Sequence, residues 1–271
     1  MDLLLGKPVA DQIKNKLVDK IASLDRNPKL VILLNVEDLS SRGYANALIK
    51  TANSLNIDAE IVEMEQNEEN YLDKITCLNN DDSVDAVLIT RPLNKNINEK
   101  KVFSSLSYKK DVDGINPHSL GELFMGKETI IPNTANAIIK MIEYYNIPLT
   151  GKKVLVVGRS LSVGKPASIL LMNRNATITV AHSKTENLFD ELKKYDIVVA
   201  ALGKPHFLKG EYMKDGAIVI DAGIHYLESG IIGDVEPSDN LSLISKVPGG
   251  IGPITNACLM ENIVSCYLMN R

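Results

Sequence analysis

The 271-residue chain has no tryptophan and four phenylalanines, and aromatics make up only 5% of it. So thin a supply argues against base-stacking platforms and aromatic cages. Three cysteines, Cys77, Cys258 and Cys266, show no C-x-x-C spacing. An odd, scattered set argues against a zinc site and for a reducing, cytoplasmic compartment. No run approaches the roughly 20 apolar residues of a membrane span. Leu3-Leu-Leu5 before Gly6-Lys-Pro8 is too short for a signal-peptide core. Thirty Lys+Arg against 34 Asp+Glu leave a net charge of −4. That is not the basic footprint of a non-specific nucleic-acid binder. The chain also lacks an internal repeat and a low-complexity linker.

Its content is that of an ordinary globular protein, 45% hydrophobic and 24% charged. At roughly 150 residues per domain it makes one large domain or two ordinary ones. Pro8 suits a first helical turn, and Val9, Ile13, Leu17 and Ile21 then recur every four residues as one apolar stripe. Short apolar runs at Lys29–Asn35, Ala59–Val62 and Asp85–Ile89 read as strands, with helices over about Ser40–Asn56 and Glu68–Leu78 between them. Lys109 to Pro117 breaks the pattern with charge, Gly and Pro, and reads as a loop and domain junction. After a helix over about Ala135–Tyr145, strands follow at Lys153–Val157, Thr177–Val180, Ile197–Ala200 and Ala217–Ile220, and a last helix over about Asn256–Leu268. The alternation predicts an α/β protein with a mostly parallel sheet. The expected domains are 1–118 and 119–271, with the C-terminal helix free to pack back on the first.

Val154–Val157 runs into Gly158-Arg-Ser-Leu-Ser-Val-Gly-Lys-Pro166 and then the apolar helix Ala167–Met172. A strand, a glycine-rich turn and a helix present free N–H groups to a pyrophosphate. The spacing is not G-x-G-x-x-G, so the turn alone is equally a plain strand–helix connection. The next strand ends at Ala181-His-Ser-Lys-Thr185, without the Asp or Glu that usually holds an NAD ribose. Hydroxyls, Lys184 and the nearby Arg159 suit a 2′-phosphate, which favours NADP over NAD.

The turn and His182-Ser-Lys-Thr185 closely resemble the bifunctional methylenetetrahydrofolate dehydrogenase/methenyltetrahydrofolate cyclohydrolase family. Lys110-Asp-Val-Asp-Gly114, Gly203-Lys-Pro205, Val219-Ile-Asp-Ala-Gly-Ile224, Gly233-Asp-Val235 and Val247-Pro-Gly-Gly-Ile-Gly-Pro-Ile-Thr255 extend the resemblance over nearly the whole chain in order. It implies an N-terminal α/β catalytic domain, a Rossmann-type NADP domain, a folate cleft between them and a homodimer. It implies that Gly158, Arg159, Ser160, Ser183 and Ile224 contact NADP. Asp113 is implied to hydrogen-bond the pterin of a tetrahydrofolate derivative, Tyr44 to line the folate, and Gly249, Gly250 and Pro253 to shape the cleft wall. No metal and no nucleic-acid or membrane partner is implied.

The chain departs from the family where the chemistry is most specific. The family places a Lys four residues after Tyr44, on the same helical face, and here that position is Leu48. Lys50 is two residues on, roughly 200° around the helix, and a poor substitute. The family's Gln-Leu-Pro-Leu-Pro is Thr90-Arg-Pro-Leu-Asn94, so Thr90 stands where the Gln partner is expected. Its Pro-x-Thr-Pro-x-Gly is Pro132-Asn-Thr-Ala-Asn-Ala137. Three readings follow. The first is a dehydrogenase with weakened cyclohydrolase activity, with Tyr44, Asp113 and Thr90 as the catalytic candidates. The second is a bifunctional enzyme with Arg91 or Lys50 as substitute cation. The third is a weakly catalytic folate- and NADP-binding protein.

Overall fold

The computed structural model describes every residue but Ser229, and Leu39 and Ser40 without their side chains. Contacts gather the chain into two compact units, Met1–Gln12 with Pro132–Cys258, and Ile13–Ile131 with Leu259–Arg271. β1 (Asp2–Leu4) and α1 (Gly6–Ala22) open the chain, and the four-residue stripe Val9, Ile13, Leu17 and Ile21 is buried throughout.

The unit built on Ile13–Ile131 begins with β2 (Lys29–Asn35), whose residues Leu30–Leu34 have no exposed surface. α2 (Leu39–Ser54) and β3 (Asp58–Met64) follow, then α3 (Glu68–Asn79) and β4 (Ala86–Ile89). The three strands form a parallel sheet in the order β3-β2-β4. The chain thus leaves β2 toward one side and later returns on the other, so the connections at the C-terminal end of the sheet diverge. Val31, Leu33, Tyr71, Ile75, Val87 and Ile89 fill its core. α4 (Glu99–Ser105) is capped by Asn98, and α5 (Pro117–Phe124) by Asn116, with Pro117 in the first turn.

α6 (Asn133–Tyr144) leads into the other unit. β5 (Lys153–Val157), α7 (Gly164–Asn173), β6 (Thr177–Ala181), α8 (Leu188–Leu192) and β7 (Ile197–Ala200) come next. Then follow β8 (Leu208–Lys209), β9 (Ile218–Asp221), the hairpin β10 (His225–Leu227) and β11 (Gly230–Ile232), β12 (Val235–Glu236), β13 (Leu243–Ser245) and α9 (Ile251–Met269). Six strands form one parallel sheet in the order β1-β13-β9-β7-β5-β6.

The boundary between the units falls at Ile131/Pro132 and not at 118/119, Met1–Gln12 joins the later segment, and the end of α9 joins the earlier one. Asp2–Leu4 pairs with Leu243–Ser245, which ties the N-terminus to the six-stranded sheet. Asn262 Nδ2 donates to the carbonyls of Val112 (3.0 Å) and Ile131 (2.8 Å), which ties the end of α9 to the smaller sheet's unit. Both ties join residues far apart in sequence, and periodicity carries no trace of either.

Candidate functional site

β5 lies between β6 and β7, so the chain reverses direction across the sheet at the C-terminal end of β5. A crevice opens at such a point. Gly158 follows β5 with φ of +129°, and a Cβ there would run into the backbone of Ala201 after β7. Only glycine allows this approach. Ser160 Oγ accepts the N–H groups of Val163 (3.1 Å) and Gly164 (3.4 Å) and so orders the entry to α7. After β6, Thr185 Oγ1 accepts the His182 N–H at 2.9 Å and His182 Nδ1 accepts that of Lys184 at 3.1 Å, leaving Ser183 exposed at the tip of the turn.

These loops enclose a cavity of about 510 Å³ lined by Gly158, Arg159, Ser160 and Ser183, four of the five residues expected at the dinucleotide. Two cations, Arg159 and Lys204, reach it, and no carboxylate is in its lining. That donor set fits an anion carrying an extra phosphate. Ile224, the fifth residue, lies beyond β9, 49% exposed and outside the lining. Phe189 and Phe207 also line the cavity, their ring centroids 5.9 Å apart, and Lys204 Nζ lies 5.0 Å from the centre of Phe207. Low aromatic content argued against such a surface. It gathers two of the chain's four phenylalanines in one place, which composition does not reveal.

In the other unit, Tyr44 on α2 is 40% exposed. Its hydroxyl is held well above the usual phenol range, first by desolvation and then by the charge of Asp113, while Arg91 pulls the other way. Tyr44 therefore keeps its proton. Leu48, one turn on, has no exposed surface, and Lys50 is exposed. Thr90, just past β4, is buried. Its Oγ1 accepts the Asn35 N–H at 2.9 Å and donates to the Leu33 carbonyl at 3.2 Å, so the hydroxyl is engaged between two backbone groups of β2. Arg91 is exposed, with its guanidinium 5.7 Å from the Phe103 ring.

Asp113 stands in a loop organised by a neighbour that the sequence did not single out. Asp111 is buried, and its carboxylate accepts the N–H groups of Asp113 (3.2 Å) and Asn116 (2.6 Å). Burial first, and the Asp113 charge second, push its carboxyl up to about 7. Lys110 is buried too, donating from Nζ to the carbonyls of Leu78 (2.7 Å) and Asp81 (2.8 Å) at the end of α3. The lysine of this motif is structural. Lys110, Asp111 and Val112 are buried in succession, a pattern that no alternation in the sequence marks.

Gly249, Gly250 and Pro253 occupy the turn into α9 in the unit of the larger sheet. The Gly249 carbonyl accepts the Gly6 N–H at 2.8 Å, and Pro253 sits in the first turn of the helix. Among the described residues, no group of three or more His, Cys, Asp or Glu is placed to hold a metal, and no helix is long and apolar enough to cross a membrane.

A parallel sheet with a glycine-rich turn and a cationic, acid-free cavity at its point of reversal defines a dinucleotide-binding α/β protein. The chain belongs to the tetrahydrofolate dehydrogenase/cyclohydrolase family, matching its catalytic domain over residues 4–113 and its NAD(P)-binding domain over residues 132–271. It is 39% identical over 278 residues to the bifunctional protein FolD of Clostridium botulinum, covering 99% of this chain and 98% of that one. The solved bifunctional FolD of Campylobacter jejuni is similar at a TM-score of 0.94 and 35% identity, covering 99% of each chain. The methylenetetrahydrofolate dehydrogenase-cyclohydrolase of Trypanosoma brucei, solved with NADP and an inhibitor, is similar at a TM-score of 0.91 and 30% identity, covering 98% of this chain and 97% of that one.

Proposed function

We propose that the chain is an NADP-dependent 5,10-methylenetetrahydrofolate dehydrogenase of one-carbon metabolism that releases 5,10-methenyltetrahydrofolate largely unhydrolysed. The observation that carries this reading is Leu48, an uncharged and fully buried side chain one turn from Tyr44. NADP, held by Gly158, Arg159, Ser160 and Ser183, would supply the hydride acceptor for the methylene carbon. That carbon stands between two nitrogens, a lone pair of which expels the hydride, and the product cation is delocalised. No side chain has to take a proton, so positioning suffices. Asp113 is assigned to the pterin, accepting from its amino and ring N–H donors together. Tyr44 lines the folate as a protonated phenol, while Gly249, Gly250 and Pro253 shape the turn into α9.

Hydrolysis of the methenyl bridge makes a different demand. The attacking water must lose a proton and a ring nitrogen must gain one. Positioned acid/base groups typically contribute about 100- to 10,000-fold to such steps. Leu48 offers none, and the Thr90 hydroxyl is already engaged with Leu33 and Asn35. The preference for NADP over NAD is supported by Arg159, Lys204, Ser160 and Ser183 around a cavity without an acid. A cytoplasmic homodimer with catalytic and NADP-binding roles divided at Ile131/Pro132 completes the reading.

One observation favours a second reading, a fully bifunctional enzyme. The charge of Arg91 acts on the Tyr44 hydroxyl, so a cation other than a lysine does reach this neighbourhood. A steady-state assay of purified protein with methylenetetrahydrofolate separates the two. The expected result is faster turnover with NADP than with NAD and accumulation of the methenyl absorbance. Enzyme-dependent loss of that absorbance above its spontaneous rate would decide for the bifunctional reading and turn attention to Arg91.

A further inference from the structure

We propose that His225 and Asp234 act as a positioning pair that sets one wall of the dinucleotide cavity, an inference that rests on the cavity being the NADP site. Asp234 has no exposed surface. A buried carboxylate persists only when its oxygens are well supplied with donors. Its Oδ2 accepts the N–H groups of Leu202 (2.7 Å) and Gly203 (3.0 Å), and its Oδ1 accepts that of Lys204 (2.9 Å). Three successive N–H groups converging on one anion form a nest, of the kind that elsewhere takes a phosphate. Here the chain's own carboxylate fills the nest. The loop after β7 is thereby fixed with the side chains of Leu202 and Lys204 lining the cavity.

The fourth contact is the informative one. His225 Nε2 lies 2.7 Å from Asp234 Oδ1, at the start of β10 and adjacent to Ile224. One carboxylate thus ties the Leu202–Lys204 loop, which follows β7 and lines the cavity, to the segment carrying Ile224, which follows β9. Asp234 is itself held from below, because its N–H donates to Asp221 Oδ1 at 3.1 Å. Gly223 has to be glycine, since a Cβ there would collide with the Asp234 carboxylate. His225 differs from the other partners in offering a side-chain nitrogen where they offer backbone N–H groups. Asp234 keeps three backbone donors without it, and the His225 side chain retains 17% exposure. Its hydrogen bond positions a segment, while the fold is held by the N–H contacts.

The test compares His225→Leu with His225→Gln, whose amide N–H can still donate to Asp234. Dissociation constants for NADP without folate, kcat, and KM for NADP and for methylenetetrahydrofolate are measured alongside thermal unfolding. The expected result for His225→Leu is a loss of about tenfold in NADP affinity and in kcat/KM for NADP. Folate KM and melting temperature are expected near wild type, and His225→Gln is expected to recover most of the loss. Wild-type NADP binding by His225→Leu would overturn the proposal, as would equal impairment of the Leu and Gln variants. Absence of NADP binding by the wild-type protein is a distinct outcome, which overturns the assignment of the cavity and this pair's role with it.

Discussion

Leu48 lies one helical turn beyond Tyr44 on α2, and while Tyr44 keeps 40% of its surface open, Leu48 keeps none. A lysine at 48 would therefore have to carry its charge into a fully buried position, which lowers the pKa of the ammonium and disfavours the fold. Leu48→Lys alone is expected to lower the melting temperature and to add little hydrolysis. Combined with Thr90→Gln, which supplies a polar partner and removes the Thr90 hydroxyl from its two backbone contacts, it is expected to raise methenyl hydrolysis at least about tenfold, within the range of acid/base assistance. Decay of the methenyl absorbance under single-turnover conditions measures it. A double variant as inert as the wild type would show that the lysine position does not govern hydrolysis here.

Ser183 sits exposed at the tip of the turn after β6, in a cavity lining without a carboxylate. Ser183→Asp places a negative charge against the 2′-phosphate, so KM for NADP is expected to rise about tenfold or more while KM for NAD falls. The surface position should keep the stability change within about 0.5 kcal/mol. Paired measurements of kcat/KM for the two dinucleotides check the switch, and an unchanged ratio would remove Ser183 from the specificity site.

Much of the fold was legible because burial and periodicity coincide. Lys29–Asn35 was read with the boundaries it has, since a strand buried on both faces is an unbroken apolar run. Gly158, Arg159, Ser160 and Ser183 were legible as a group because a strand–turn–helix fixes where the turn must sit. β1 was not, because three residues with two exposed become a strand only by pairing with β13, 241 residues away. Asp111, Asp234 and His225 were not legible either. Their roles rest on backbone N–H groups brought to them by the fold, and no side-chain spacing encodes those.

Asp113 raises both the Tyr44 and the Asp111 ionisations by its charge. Asp113→Asn is expected to weaken folate binding by one to two decades, the cost of about 1–3 kcal/mol for a donor left without its acceptor. NADP affinity should be unaffected. The same substitution should bring the Asp111 carboxyl down toward its ordinary range, because one of the two causes of its elevation is gone. Folate KM together with the Asp111 titration by NMR tests the pair. A normal folate KM would dismiss Asp113 from the substrate site, whatever the titration shows.

The buried carboxyls also set how stability varies with pH. Asp111 is pushed up to about 7 and Asp221 to about 6, in both cases chiefly by burial and against the pull of backbone hydrogen bonds. An unfolded aspartate ionises near 3.9. Between about pH 4 and 7 the folded chain therefore holds protons that the unfolded chain has lost. Stability from these two groups is complete below about pH 4 and is lost as pH rises through 6 and 7. At about 1.4 kcal/mol per pKa unit, the shifts bound the loss at roughly 4 kcal/mol for Asp111 and less for Asp221. Glu68, Asp81 and Asp196 are shifted downward by their partners, so their contribution changes below this window and does not mask it. Urea unfolding between pH 5 and 8 should show a midpoint that falls with pH, and Asp111→Asn should flatten that slope even if it lowers the midpoint overall. A midpoint that rises across this range, or a slope indifferent to Asp111→Asn, would mean that Asp111 is ionised in the folded protein throughout.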